Sequence, residues 1–231
     1  EPINQCLDPF SGGYTGQSCT SSTECGGAPF GTCDTSSFCT QPSHDDLPFG
    51  VAVSNPNLTL AANVTITGGG MAAPINVTVQ PGQLQVVPLP SNTDADSSGL
   101  FINKTFFAQS DVPVTMHQFN PLNGGGVFSN DASLLLPINA LGTQYIVLNY
   151  PVATGAATGT TGAPAYVDIV ATQDNTQLTI LSPIDIPDAQ PFGAITRNVP
   201  KQISMNRGNI LHLLSPGTLN TDISGMDLTA D

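Results

Sequence analysis

The chain has 231 residues and is poor in charge, with 17 acidic and four basic residues, a formal net charge of −13 and 39% hydrophobic residues. So few basic residues cannot neutralise a run of phosphates, which argues against nucleic acids and anionic lipid surfaces as partners. No segment reaches the roughly 20 consecutive apolar residues of a membrane-spanning helix, so no membrane span is predicted.

The N-terminal segment, residues 1–46, contains all five cysteines of the chain. It is rich in Ser, Thr, Gly and Pro and has few apolar residues, so we expect disulfides to stabilise it in an oxidising, extracellular compartment. The absence of a C-x-x-C pair, and of any histidine before His44, argues against a metal site. The odd count leaves one cysteine over and the pairing open. The predicted disulfide cysteines are Cys6, Cys19, Cys25, Cys33 and Cys39.

From Leu47 onwards, short stretches that alternate apolar and polar residues predict β-strands with one buried face. Asn-Pro, Gly-Gly-Gly, Pro-Gly and Ser-Pro-Gly sequences between them are typical of turns. Helical periodicity is almost absent, and its best candidate is DASLLLPINAL (Asp131–Leu141). We therefore predict an all-β fold, an antiparallel β-sandwich preceded by the small disulfide-stapled head.

The predicted strands form an internal repeat, in which Thr65, Gly82 and Asp111 align with Thr179, Gly208 and Asp231. The repeat predicts two related half-domains, 47–152 and 153–231. In the first copy Asp111 is followed by the strand VPVTMHQF, whereas Asp231 is the last residue given. We therefore expect the second half to be truncated before its last strand, the native chain to continue at both ends, and the unfilled strand position to be occupied.

Four blocks of this region are distinctive: SDVPVTMHQFNP (Ser110–Pro121), SNDASLLLPINALGTQYIVLNYP (Ser129–Pro151), YVDIVATQDNTQLTI (Tyr166–Ile180) and MNRGNILHLL (Met205–Leu214). In their order and spacing they resemble the N-terminal domain family of IgGFc-binding protein, over residues 47–231. The middle block, with its Leu-Pro and Leu-Gly-x-x-Tyr elements, is the most specific. His117 departs from the aromatic residue usual in the family.

The resemblance implies an extracellular binding or adhesion module, of the kind found in animal mucus proteins and bacterial surface proteins. It implies no catalytic residue, because none is established for the family. The immunoglobulin ligand belongs to the animal protein and is not transferred to this chain. The resemblance also places a further strand, beginning Pro-Val, after the position of Asp231.

Catalysis is not predicted, because no motif assembles a nucleophile, a base and an orienting carboxylate. His44 lies in a polar linker, beside Asp45 and Asp46. His117 and His212 lie in apolar strands at positions that the repeat does not equate, so we interpret each as a strand residue with a hydrogen-bonded ring.

Calcium is a possible cofactor, with Asp94 and Asp96 as its leading ligands, because their loop offers hard oxygen donors. No EF-hand-like loop accompanies them, and acidic loops of acidic extracellular proteins are usually just solvated. No other cofactor is expected.

The sequence also contains four N-glycosylation sequons, which matter only if the source is eukaryotic. Threonines on several predicted strands could form a flat polar binding face, but β-propensity on a solvent face is the preferred explanation. No residue stands out as a binding anchor. The sequon residues are Asn57, Asn63, Asn76 and Asn103.

We therefore predict a non-enzymatic, secreted or cell-surface adhesion module whose partner is an extracellular glycoprotein or carbohydrate. The alternative is a structural subunit of an extracellular filament or surface layer, in which copies of the chain join by strand donation or by an intermolecular disulfide. The leftover cysteine and the unfilled strand position would be suitable joints for the alternative. A head cysteine bonded to another chain, or a strand donated across a subunit boundary, would favour it, whereas a monomer with a loop cleft of ligand size would favour recognition.

Overall fold

The computed structural model describes residues 5–7, 14–18, 32–33, 38–40, 49–90, 97–122, 131–152, 164–218 and 220–231. These residues form twenty strands and one short 3-10 turn, Ile138–Ala140, which confirms the all-β prediction. Among the described residues, no helix has the length and apolarity needed to cross a membrane.

The strands are numbered in chain order. They are β1 (Gln5–Leu7), β2 (Tyr14–Ser18), β3 (Thr32–Cys33), β4 (Phe38–Thr40), β5 (Phe49–Ser54), β6 (Ala62–Gly68), β7 (Ile75–Val79), β8 (Leu84–Leu89), β9 (Gly99–Phe101), β10 (Phe106–Ser110), β11 (Thr115–Asn120), β12 (Asp131–Leu134), β13 (Gln144–Ile146), β14 (Tyr166–Val170), β15 (Thr176–Leu181), β16 (Ile186–Ala189), β17 (Gly193–Ile195), β18 (Lys201–Met205), β19 (Ile210–Leu214) and β20 (Asp227–Ala230).

The N-terminal strands form a four-stranded sheet in the order β2-β1-β4-β3. Its backbone register sets Cys6 opposite Cys39 on one side of β4 and Cys33 opposite Cys39 on the other. Cys19 and Cys25 lie outside the described residues. The disulfides and their pairing therefore stay predictions.

The chain forms two compact units that are each discontinuous in sequence, whereas the repeat predicted two contiguous half-domains. The second unit begins its main segment at Pro137, not at Ala153, and it also contains β9. Unit 1 comprises Glu1–Ile66, Ala73–Asp94 and Ala108–Leu136, and unit 2 comprises Thr67–Ala72, Ala95–Phe107 and Pro137–Asp231.

Unit 1 contains the sheet β12-β11-β5-β8 and most of the sheet β10-β6-β7. Alternation along β6 buries Ala62, Val64 and Ile66 while the residues between them are exposed or half-buried. Burial of one side of each strand is what the period-2 pattern predicts.

Unit 2 is a β-sandwich around a single hydrophobic core. Its sheets are β13-β20-β15-β18, β14-β19-β9 and the hairpin β16-β17. Ile180 and Ile203 of the first sheet, Leu211 and Leu213 of the second, and Ile195 of the hairpin all belong to that core and are nearly inaccessible to solvent. The core therefore joins the inner faces of the layers, as in other sandwiches.

The structure repeats the contacts of the aligned residues. The carboxylate of Asp111 accepts from the Asn63 N–H at 2.8 Å, and that of Asp231 accepts from the Gln177 N–H at 2.9 Å. Thr65 and Thr179, the aligned pair, each follow these donors by two residues, so the two closing carboxylates hold equivalent strands, β6 and β15.

The glycine turns of the two copies also match. Gly82 and Gly208 have φ of 66° and 83°, in the left-handed region that glycine adopts without steric cost. The Gly82 N–H donates to Asn55 O, and the Gly208 N–H donates to Ala171 O. These bonds make Asn55 and Ala171 equivalent, and with them β5 and β14.

Candidate binding surface

Several residues named as candidates lie outside the part of the chain that the structure describes. These are the calcium candidates Asp94 and Asp96, and His44 with its neighbours Asp45 and Asp46. Among the described residues, no group of three or more His, Cys, Asp or Glu side chains could hold a metal ion. The calcium site stays a prediction.

The sequon residues lie at the surface of the described chain, where Asn63, Asn76 and Asn103 are exposed and Asn57 is half-buried. Asn57 Oδ1 accepts from the backbone N–H groups of Thr59 and Leu60, so its side chain organises its own loop. Glycosylation at these positions stays a prediction.

The threonine-rich face of β6 and β7 is an exposed network whose members bond to one another. Thr78 Oγ1 donates to Asn63 Oδ1 at 3.0 Å, and Thr65 Oγ1 donates to Asn76 Oδ1 at 2.9 Å. Asn63 Nδ2 donates to Asp111 Oδ2 at 2.7 Å. Because these groups already have partners across the strands, the face gains little from binding a polar ligand.

Hydrogen bonds from Asn63, first from its backbone N–H and then from its side chain, lower the pKa of Asp111 below its usual value of 3.8. The stabilisation from this carboxylate is therefore complete above about pH 4 and is lost as the pH falls through the lower, folded-state pKa.

We expect Asp111→Asn to reduce the free energy of unfolding at neutral pH. The variant should then lose less of that free energy than the wild type does when the pH is lowered. Urea unfolding at neutral and strongly acidic pH measures both. Asp131→Asn, at an exposed position on β12, is the control, and identical acid profiles for wild type and Asp111→Asn would contradict the assignment.

The two described histidines differ in their surroundings. His117 is half-buried on β11, which lies between β5 and β12. His212 is 6% exposed on β19, and its Nδ1 donates to Asp168 Oδ1 at 2.7 Å on the adjacent strand. His212 Nε2 is buried and has no hydrogen-bond partner among the described atoms. The prediction of a hydrogen-bonded ring is therefore confirmed for His212, at Nδ1 and not at Nε2.

Unit 2 carries an exposed apolar surface that sequence analysis did not identify. We define the apolar surface as Ile146, Leu148, Tyr150 and Tyr166, whose exposed fractions are 66%, 90%, 87% and 56%. Large apolar side chains grouped on the outside of a protein are characteristic of sites that bind other proteins. The alternating segment QYIVLNY predicted only a strand, with no sign that its outward side chains would be the apolar ones.

The backbone under the apolar surface is fixed by hydrogen bonds. Val147 and Val152 are buried and exchange backbone bonds with residues of the loop 220–226. Asn149 accepts at its backbone O from Ser224 Oγ, and its Nδ2 donates to Tyr166 O, which connects this segment to β14. Leu148 and Tyr150 are therefore presented to solvent by a fixed backbone, which lowers the entropy cost of binding.

One model of a protein family, described as IgGFc binding protein, matches residues 131–231. The match confirms the resemblance for β12 to β20, including every residue of the apolar surface. The predicted extension of the resemblance to residue 47 is supported by the internal repeat and not by this match. No curated protein and no solved structure matches the chain.

Proposed function

We propose that the chain is a non-enzymatic, extracellular protein-binding module, and that the apolar surface of unit 2 contacts the partner. The observation that carries the proposal is the nearly complete exposure of Leu148 and Tyr150 on a hydrogen-bonded backbone. The matched family, which is named for binding of IgG Fc, supports a protein partner. We also propose that the chain is secreted or lies at the cell surface, and that it mediates adhesion to extracellular glycoproteins.

Binding assays on immobilised proteins test the proposed function. The probes are an IgG Fc fragment, gastric mucin and the same mucin after enzymatic deglycosylation, each followed by surface plasmon resonance. We expect saturable binding to at least one probe, and the variant Leu148→Ser/Tyr150→Ser to weaken it by at least about tenfold, as expected for central apolar anchors. Binding to mucin that disappears on deglycosylation would identify the glycan as the ligand.

Val199→Ser is the matched control, because Val199 is also an exposed apolar residue of unit 2 but lies in the turn before β18. It should leave the affinity unchanged. Absence of binding to all three probes, or equal losses in both variants, would count against the proposal. Intact mass spectrometry of each probe after incubation checks the non-enzymatic assignment, for which we expect unchanged masses.

A further inference from the structure

Two side chains of β14 lie on the outer face of unit 2, next to a buried histidine of β19. Val167 and Ile169 of β14 pack against the core. Tyr166 and Asp168 alternate with them and therefore lie on the opposite, outer face, where both are exposed. His212 lies opposite Asp168 across the β-ladder, so its side chain is on the same face.

His212 contacts both of these side chains. Its Nδ1 donates to Asp168 Oδ1 at 2.7 Å, which fixes the orientation of the carboxylate. Its ring centroid lies 5.5 Å from that of Tyr166, with an angle of 33° between the two planes. The Asn149 side chain donates to Tyr166 O, so the backbone beneath the tyrosine ring is held as well. Tyr166 and Asp168 are therefore preorganised, which lowers the entropy cost of binding a ligand.

The fold itself does not require a histidine and an aspartate at these positions. The matched turns of the repeat align Ala52 of β5 with Asp168, and they align Val86 of β8 with His212. These two residues of unit 1 also lie opposite each other across their ladder, but both are apolar. In unit 2 the buried Nε2 of His212 has no partner among the described atoms, which is a cost to stability. The pair therefore needs an explanation other than the strand pairing.

The Asp168 carboxylate keeps its charge and one oxygen available on this face. Within the described part of the chain it pairs with His212 through Oδ1, and no lysine or arginine pairs with it. The net charge of −13 favours the approach of a cationic partner and disfavours an anionic one. Tyr166 lies two residues away on the same face, at roughly 7 Å along the strand. A guanidinium group can pair with a carboxylate and lie over an aromatic ring at the same time.

We propose that Tyr166 and Asp168 form a subsite for an arginine side chain of the protein partner, at the Tyr166 end of the apolar surface. The guanidinium donates to Asp168 Oδ2 and lies over the side of the tyrosine ring that His212 does not contact. His212 is the positioning residue for both. The inference rests on the proposed function in taking the partner to be a protein that docks on this surface, and it adds the chemistry that the partner presents there.

Nuclear magnetic resonance of the isotope-labelled chain tests the subsite with a probe that has no apolar side chain. N-acetyl-arginine amide is titrated into the full chain, and N-acetyl-citrulline amide, which has nearly the same shape and no charge, is the control. We expect the arginine probe to shift the backbone amide signals of Tyr166 and Asp168 and the ring signals of His212 saturably, at millimolar concentration. The citrulline probe should leave these signals unchanged.

Variants separate the charge and the ring from the fold. Asp168→Asn keeps an oxygen that can accept from His212 Nδ1 but removes the charge, and it should weaken binding of the arginine probe at least about fivefold. Asp185→Asn is the matched control, because Asp185 is also an exposed aspartate of unit 2 that accepts one hydrogen bond. Tyr166→Phe keeps the ring and should bind as wild type does, whereas Tyr166→Leu should weaken binding.

Three results would overturn the subsite: no saturable shift with the arginine probe, equal shifts with the citrulline probe, or equal affinities of Asp168→Asn and Asp185→Asn. The variant Leu148→Ser/Tyr150→Ser should bind the arginine probe as wild type does. Failure of Fc and mucin to bind while the arginine probe binds would therefore count against the proposed function alone. Binding of Fc or mucin without binding of the arginine probe would count against the subsite alone.

Discussion

Asn55→Ala should destabilise the chain by roughly 2–4 kcal/mol, because one buried amide connects three parts of unit 1. Asn55 is 1% exposed at the end of β5. Its Nδ2 donates to Val79 O at 3.0 Å and to Leu60 O at 2.8 Å, and its Oδ1 accepts from the Asn57 N–H at 3.0 Å. Alanine would leave Val79 O buried without this donor and would open a small cavity.

Urea unfolding followed by circular dichroism measures the loss. Asn76→Ala is the control, because Asn76 is an asparagine of the same unit whose hydrogen bond with Thr65 is exposed, and it should cost no more than about 0.5 kcal/mol. Equal urea midpoints for Asn55→Ala and Asn76→Ala would show that the Asn55 amide does not hold the loop 55–60 against β7.

The repeat was the most informative feature of the sequence, because it aligned residues that make equivalent contacts in the structure. Glycine at the two positive-φ turns is required by the local backbone, so Gly82 and Gly208 can be read from a single chain. The carboxylates of Asp111 and Asp231 accept from residues 48 and 54 positions away, and only the repeated order of strands made them recognisable as equivalent.

The neighbours that each strand takes in the sheet were not predicted, because pairing depends on distant segments. β9 pairs with β19, which places the segment Ala95–Phe107 in unit 2. One local signal was present in β8, whose exposed Pro88 suits an edge strand, whereas its equivalent β19 has no proline and is central. Pro88 could have shown that the two copies differ in their edges.

The apolar surface was missed for a different reason. Apolar residues predict burial on average, so an exposed group is visible only when the fold shows that nothing described covers it. Leu148 and Tyr150 alternate with buried or half-buried positions, as the residues of any strand would. What distinguishes them is which side faces the core, and the hydrogen bonds of Val147 and Val152 to the loop 220–226 decide that.

The central position of β19 gives the second large effect that we expect. Leu211 is 0% exposed and lies opposite Leu100 on β9 and Ile169 on β14. Leu211→Ala should lower the free energy of unfolding by about 2–5 kcal/mol, through lost burial and the cavity left between packed layers. The loss should fall in the upper part of that range, because neighbours held on both sides by β-ladders can collapse only partly into the space.

Thermal and urea unfolding of Leu211→Ala and Val170→Ala test whether unit 2 has the core described. Val170 is on the same sheet but 42% exposed, so its truncation should cost well under half as much as that of Leu211. Because β19 is the one strand that pairs with β14 among the described residues, the Leu211 variant should also speed amide exchange at Ile169 more than at Ile203 on β18. Uniform acceleration in both sheets would mean that the layers open together, and similar losses in the two variants would contradict the central place of β19.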